Sequence, residues 1–533
     1  MDPVLLRVYQ NLLDSVAEEM GSALERTSFS PNIKERRDYS CAVFDGDGEM
    51  IAQAAHNPVH LGSTPLSVEA AIAAHDFQPG DEVLLNDPYC GGTHLPDLTV
   101  VRAVFFDDSA RPLFYVANRA HHADVGGAVR GSMALFTEIY QEGLRIPPVL
   151  IRRGGEPVPE VWQLLLANMR QPEERRGDLT AQLNANRVGE MGLRRIVARG
   201  DRCELTTYCS HLKDAAERHV RQFLADVPDG AYGAKEWLDD DGVNNATIPI
   251  PIQVRIEIAG TNAIVDFAGT APQMAGCLNT NPAVALSAVF YVLRALAGEE
   301  IPSNAGCLRP VTMRIPQGSL LDPEIPAAVA GGNVETSQRL VDVLLAAFAA
   351  ALPTAIPAQS QGTMNNLTLG AAGPNHSGFS YYETTGGGTG AGPWGAGASA
   401  VHSHMTNTRN TPIEMLEHAY PLRVHEYAIR RGSGGRGKHC GGEGIIREVE
   451  ALQPMEAALL TERRLRAPAG AGGGGAAWTG RNERRRRQQY ESLPAKWVGR
   501  LEKGDRIRLQ TPGGGGWGTA PPATDTDPPK TEA

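Results

Sequence analysis

The sequence predicts an α+β, multi-domain chain, with helices and β-hairpins in its N-terminal part and a glycine-rich, mostly β C-terminal part. Three observations carry that prediction. Apolar residues recur at helical spacing over residues 3 to 25, Ile248 to Ile258 switches to the two-residue alternation of a strand, and glycine dominates from Thr363 onward between short β-like runs. The 59 glycines lie within apolar and aromatic sequence, which reads as turns and close backbone approaches more than as disorder. These shifts divide the chain into residues 1–200, 201–360 and 361–518, followed by a tail, 519–533, whose Pro, Thr and Asp content predicts disorder.

Taken in order, Val4, Leu5, Val8, Leu12, Val16, Met20 and Leu24 share one face of a long amphipathic helix. Ser40 to Phe44 and Glu49 to Gln53 flank Asp45-Gly46-Asp47-Gly48 as a hairpin. Pro58 to Ser63 reads as a loop, Leu66 to Ala74 as a short helix and Glu82 to Leu85 as a strand. Leu98 to Phe106 and Leu113 to Ala117 are predicted strands around an acidic turn at Asp107-Asp108. Thr137 to Pro148 reads as extended; helices follow at Val158 to Met169, from Gly177 to about Arg199, and at His211 to Ala225. The alternating strand from Ile248 pairs with Ala263 to Phe267, and helices return at Pro282 to Ala297 and Ser337 to Ala351. In the last region Ser380 to Tyr382, Val424 to Ile429, Leu452 to Leu459 and the stretch from Asp505 predict a barrel-like or sandwich β unit.

At 533 residues and 42% hydrophobic content the chain can bury a large core. Its net charge of −11 argues against nucleic-acid binding, which needs a basic face. No basic start followed by an apolar core, and no stretch of about eighteen uncharged apolar residues, points to secretion or membrane spanning. The seven scattered cysteines, without a Cys-x-x-Cys pair, suit reduced thiols in a cytoplasm.

The strongest chemical signal is a doubled His-x-x-Asp, His94-Leu95-Pro96-Asp97 and His121-His122-Ala123-Asp124. Antiparallel strands between the two would bring both pairs together, and imidazole with carboxylate suits zinc, manganese or iron. Of the adjacent histidines, His121 keeps the spacing and His122 does not. Alternatively, these are N-capping aspartates and surface or core histidines. Gly432 to His439 has P-loop spacing until His439 replaces the magnesium-holding hydroxyl, and Cys440-Gly441-Gly442-Glu443-Gly444 cannot open the required helix, so a turn is expected. Arg484 to Arg487 reads as a solvated loop. His404, Asn407 and Arg409, in the polar stretch from His402 to Asn410, are candidate substrate contacts, a subunit-docking surface or a hydrogen-bonded loop core, and His60, His56 and Glu335 are weaker candidates of the same kind.

Several of these stretches together resemble the hydantoinase B / 5-oxoprolinase family, which includes the N-methylhydantoinase B subunit and subunits of acetone- and acetophenone-type carboxylases. They are Glu35 to Ala42, Pro58 to Ser63, Asn86 to Asp97, Ala120 to Gly127, Gly331 to Gln338, His404 to Pro412 and Thr511 to Gly518, in collinear order over nearly the whole chain. The resemblance implies a division of labour. A hydantoinase A-like ATPase subunit would use ATP to phosphorylate a carbonyl oxygen of a cyclic amide, and a chain of this type would complete the ring opening at a divalent metal. It also implies His94, Asp97 and His121 as the metal ligands; Asp124 or a nearby histidine, His122, would accept the proton, and His60, His404, Asn407 and Arg409 stand, on their own residue types, as the candidate substrate contacts. The expectation is therefore an ATP-dependent hydantoin- or 5-oxoproline-type hydrolase working as a hetro-oligomer with that ATPase. A carboxylase subunit using the same ligands and a non-catalytic scaffold for the ATPase are the alternatives.

Overall fold

In a computed structural model, which describes residues 1–54, 56–106, 109–243, 248–298, 301–373 and 378–520, the N-terminal periodicity becomes one helix, Pro3–Thr27. Asp2 caps it, accepting the Val4 N–H at 2.8 Å, and Pro3 occupies the first turn, where no N–H partner is needed. Leu13, Val16, Ala17, Met20 and Leu24 are buried on one face, the four larger side chains contributing about 1.5–3 kcal/mol each when fully covered.

That helix and a second one, Pro172–Arg199, cover one side of a seven-stranded antiparallel sheet. Its strands are β1 (Tyr39–Asp45), β2 (Met50–Gln53), β3 (Glu82–Leu85), β4 (Asp97–Val104), β5 (Phe114–His121), β6 (Val149–Arg153) and β7 (Glu156–Pro157), in the order β2-β1-β5-β4-β3-β6-β7. Cys41 and Val43 face the two helices, whereas Ala42 and Phe44 pack on the other side with helices Ser63–Ala74 and Pro282–Ala297. Alternation thus puts apolar residues on both faces, as a sheet covered twice requires. A second sheet contains β8 (Gly230–Leu238), β9 (Ile250–Ala259), β10 (Asn262–Asp266) and β11 (Val311–Arg314), ordered β11-β10-β9-β8. Ile250, Ile252, Val254, Ile256 and Ile258 are its buried row, against helix Ser337–Ala351.

Nine further strands are described after residue 360: β12 (Asn366–Ala371), β13 (Phe379–Glu383), β14 (Leu422–Arg430), β15 (Gly444–Ala451), β16 (Met455–Leu460), β17 (Arg481–Arg486), β18 (Gln489–Leu493), β19 (Lys496–Leu501) and β20 (Arg506–Gln510). They form sheets β13-β12-β16-β19 and β14-β15-β20-β17-β18. Leu367, Leu369 and Leu459 of the first share an apolar cluster with Val449, Ile507 and Leu509 of the second, so the sandwich, not the barrel, is realised. Glycine-rich segments cross beside it through backbone hydrogen bonds, Gly514 N–H to Gly442 O at 2.9 Å and Gly435 N–H to Gly514 O at 2.8 Å. A Cβ at Gly514 would run into the Thr389 backbone, which is the close approach that the composition implied.

Five expectations change, the first being that the helix predicted from His211 opens at Arg202, where Asp201 caps it by accepting the Cys203 N–H at 2.7 Å. Arg484 to Arg486 belong to β17 and are not loop: Arg484 pairs across the hairpin with Glu491 at 2.6 Å and Arg486 with Asp505 at 3.0 Å, so carboxylates opposite the run absorb its charge. Arg487 and Gln488 both take positive φ, 48° and 72°, and form the tight turn to β18. Within the predicted extended segment Thr137 to Pro148, Ile139–Glu142 makes one helical turn. Pro58–His60 is a 3₁₀ turn feeding the Ser63–Ala74 helix, and the long helix opens at Pro172, five residues before Gly177, because Pro172, Glu173 and Glu174 suit a first turn. The Asp107-Asp108 turn and tail residues 521–533 lie outside the described residues. Every cysteine is free, and no helix among the described residues is long and apolar enough to cross a membrane.

Candidate metal centre

The β4–β5 register places Asp97 directly opposite His121, so the hairpin delivers two of the predicted ligands to one point. His94 precedes β4 in a loop that buried amides hold from both sides. Asn86 Nδ2 donates to the Leu95 and Leu144 carbonyls at 2.8 and 2.9 Å. Asn281, the cap of helix Pro282–Ala297, donates to the carbonyls of Pro88 and Gly92 at 2.9 Å and Thr93 at 3.2 Å. The loop is therefore fixed before any ligand arrives, and such pre-organisation is what a metal or substrate site needs.

Asp97 sits among three imidazoles. Its Oδ2 meets His60 Nε2 at 3.2 Å and accepts from Thr93 Oγ1 at 3.0 Å. Its Oδ1 faces His94 Nε2 at 3.0 Å and His121 Nδ1 at 3.1 Å. His94, Asp97 and His121 are 0, 2 and 3% exposed, and one donor atom from each lies within 4.8 Å of the others. They share a cavity of about 20 Å³ with His60, Asn333 and Tyr382, room for a single ion or water. Asn333 Nδ2 lies 3.1 Å from His94 Nε2, the Ala330 carbonyl lies 3.4 Å from His94 Nδ1, and Tyr382 stacks on His121 with centroids 4.8 Å apart.

Electrostatics follow from this packing. Burial would raise the Asp97 carboxyl, but the His94 charge and hydrogen bonds from His121, His60 and His94 hold it well below the usual carboxylate range. Burial works to lower His94, yet Asp97 overrules it and raises that imidazole. His121 is lowered, chiefly by burial, against the pull of Asp97. The donor set fits a divalent cation: two imidazoles and a carboxylate oxygen already face one another, and the cation would replace the two contacts to Oδ1. There it would compete with a proton for the His94 imidazole, whose charged form Asp97 favours.

The other predicted residues divide. His60 belongs to the cluster, with Nδ1 held by Ser40 Oγ at 2.8 Å. His122 is the next residue after the end of β5 and points away; its Nε2 meets Gln182 Oε1 at 2.9 Å on helix Pro172–Arg199, and burial lowers it to about 4. Asp124 is also apart: it accepts from Arg170 Nη1 at 2.9 Å, from the Gly126 and Gly131 N–H groups at 2.9 and 3.0 Å, and from Ser380 Oγ at 3.2 Å. His404, with φ of 57°, lies 3.4 Å from the Tyr291 hydroxyl and 3.9 Å from Asp342. Asn407 donates to the His56 carbonyl at 3.0 Å and lines a separate cavity of about 480 Å³ with Pro58, Leu61, Tyr291 and Arg294. Arg409 is exposed, its backbone N–H bound to the Arg36 carbonyl at 2.9 Å. Asn333 and Tyr382 reach the cluster from distant segments, which motif spacing does not reveal; the visible signal in the sequence is Gly331-Gly332-Asn333.

A family profile described as hydantoinase B/oxoprolinase matches residues 2–520. 5-oxoprolinase 1 of Arabidopsis thaliana is 38% identical over 542 residues, covering 97% of this chain and 42% of that protein. The chain spans about four tenths of the length of such curated relatives. Among solved structures, an ATP-dependent caprolactamase from Pseudomonas jessenii superposes with a TM-score of 0.90 at 30% identity, over 98% of this chain and 92% of that one. An acetone carboxylase in its nucleotide-free state superposes with a TM-score of 0.85 at 16% identity, over 97% of this chain and 76% of that one, a likeness of fold alone.

Proposed function

The chain belongs to the hydantoinase B/oxoprolinase family, and from that premise we propose that it is the metal-dependent catalytic part of an ATP-dependent cyclic-amide hydrolase. The observation that carries this reading is the convergence of His94, Asp97 and His121 in a buried cavity the size of one ion. Relatives named 5-oxoprolinase and caprolactamase support a lactam- or hydantoin-type ring as substrate. The partner is an ATPase of the hydantoinase A type, which would use ATP to activate the amide oxygen. Since the caprolactamase chain matches over 92% of its length, a separate ATPase subunit in a hetero-oligomer is the arrangement favoured here.

An amide carbonyl resists water because resonance delocalises the nitrogen lone pair. A divalent cation, zinc, manganese or iron, would supply Lewis acidity at the carbonyl and acidify a water. His94, Asp97 and His121 would hold that ion; the Ala330 carbonyl orients His94 from behind through Nδ1, while Asn333 lies on the cavity side, beside Nε2. His60 lines the cavity outside the ligand set, so we assign to it the proton-accepting role expected of Asp124 or His122. Asp124 instead ties the Gly126–Gly131 loop to Arg170 and Ser380. The Asn57–Leu61 turn lines both cavities, Asn57, Val59 and His60 at the ion cavity and Pro58 and Leu61 at the larger chamber of Asn407 and Tyr291, which is the site proposed for the ring.

The test is metal analysis together with turnover, coupled to ATP hydrolysis, of the chain reconstituted with its ATPase on 5-oxoproline, hydantoin and caprolactam. Wild type should carry one divalent ion per chain. His94→Ala should lose the ion and the turnover. His60→Gln should keep the ion while kcat falls by roughly 10²–10⁴. A metal-free wild type with full activity, or an active His94→Ala, would discard the metal-enzyme reading. Activity that requires bicarbonate would replace it with the carboxylase.

A further inference from the structure

The second sheet of the sandwich carries a cavity that the proposed chemistry does not use. Its volume is about 610 Å³, and it is lined by Arg430, Arg431, Arg481, Arg508, Glu483 and Trp478, among others. The strand register explains its floor. Gln510 lies opposite Ile446 on β15 and Arg481 on β17, and Arg508 lies opposite Glu483, so residues two apart on these strands point to one face. The other face of the same strands sends Ile507 and Leu509 into the core. Ala467 and the Ala477–Thr479 segment close the cavity from the side.

Four guanidiniums therefore face one carboxylate in a protein whose net charge is −11. Among the described residues only Arg508 is neutralised, by Glu426 at 3.0 Å, Glu448 at 3.6 Å and, at 4.0 Å, the cavity's own Glu483. Arg430 is 5% exposed and has no ion pair among the described residues; its Nη1 donates to the Thr479 and Thr511 carbonyls at 2.7 and 3.1 Å, which fixes the fork in place. Its guanidinium carbon lies 5.5 Å from the ring centroid of Trp478, a side chain 38% exposed. Arg431 and Arg481 are exposed and make no side-chain ion pair or hydrogen bond among the described residues. Burial, then the charges of Arg481 and Arg508, push Arg430 down to about 10, as expected where like charges crowd.

Such crowding costs stability unless an anion joins it. Guanidinium forks match phosphate oxygens in pairs, an indole offers a face to an aromatic ring or a cation, and the volume suits a ligand of nucleotide size. We propose that this cavity is a second ligand site, one that binds a phosphate-bearing small molecule through Arg430, Arg431 and Arg481 beside Trp478. The site stands apart from the metal centre and does not depend on the hydrolase reading. Free phosphate and a nucleotide share this chemistry, and they differ in whether Trp478 contributes.

Calorimetric titration of the full chain at low ionic strength, with inorganic phosphate and with ATP in separate arms, tests it. At least one arm should saturate, and the Arg431→Glu/Arg481→Glu variant should bind at least tenfold more weakly while melting like wild type. If ATP binds at least tenfold more tightly than phosphate and Trp478→Phe removes that preference, the occupant is a nucleotide; equal affinities identify the phosphate group alone. The proposal falls if neither anion binds saturably or if the double variant binds as tightly as wild type. Binding of polyglutamate but of neither phosphate nor ATP would also overturn it, making the face a dock for an acidic protein segment.

Discussion

Glu142 is wholly buried beside the candidate metal centre, with Oε1 accepting the N–H groups of Val329 and Ala330 at 2.7 and 2.8 Å. Burial pushes its carboxyl up to about 8 from 4.5. The folded chain therefore holds a proton that the unfolded chain releases: the stabilisation is full below about 4.5 and is lost as pH rises through about 8. Glu142→Gln keeps the acceptor for both N–H groups and removes the titration. Stability of the wild type should fall between pH 5 and 8 by up to about 1.4 kcal/mol per pH unit from this group, and the variant should lack that component. Denaturant midpoints at both pH values decide it; equal slopes in the two proteins would refute it. At this scale the sequence was informative where one motif carries its own spacing. His94, Asp97 and His121 could be read because a hairpin register joins them, whereas Asn333 and Tyr382 arrive through tertiary packing that no local pattern encodes.

Elements with a strong period were legible to within a few residues: helix Pro282–Ala297 matches its apolar pattern, and β9 matches its alternation. Strand β17 was not, because four consecutive arginines look solvated until the carboxylates of neighbouring strands are in place. The glycine-rich crossings were legible in kind but not in path. Their demand for glycine can be measured by a matched pair. Gly514→Ala places a methyl group against the Thr389 backbone, whereas Gly395 has open space around its Cβ position. We predict a loss of about 1–3 kcal/mol for Gly514→Ala, the range for overpacking. Gly395→Ala should be neutral or stabilise by up to about 1 kcal/mol through the unfolded chain. Thermal or denaturant unfolding of both variants checks this, and similar losses at the two sites would mean that close approach is not what requires glycine.

Across the whole molecule, the centre joins the 3₁₀ turn at His60, the β4–β5 hairpin, the Ala330–Asn333 segment before helix Ser337–Ala351, and Tyr382 of the sandwich. Segments more than two hundred residues apart thus meet at one carboxylate and its imidazoles. An ion held there binds the folded chain and not the unfolded one, so it must stabilise the fold by mass action. At a free concentration one hundred times its Kd the gain is about 2.7 kcal/mol. Removing metal with a chelator should lower the unfolding free energy of the wild type by that order, and returning zinc, manganese or iron in turn should identify the resident ion by the largest recovery. Asp97→Asn removes the carboxylate charge that both the cation and the His94 proton rely on, so its stability should be lower at the outset and indifferent to chelator. The two proteins must be compared at one pH, since protonation of His94 competes with the ion. A chelator effect of equal size in Asp97→Asn would place the stabilising metal elsewhere in the molecule.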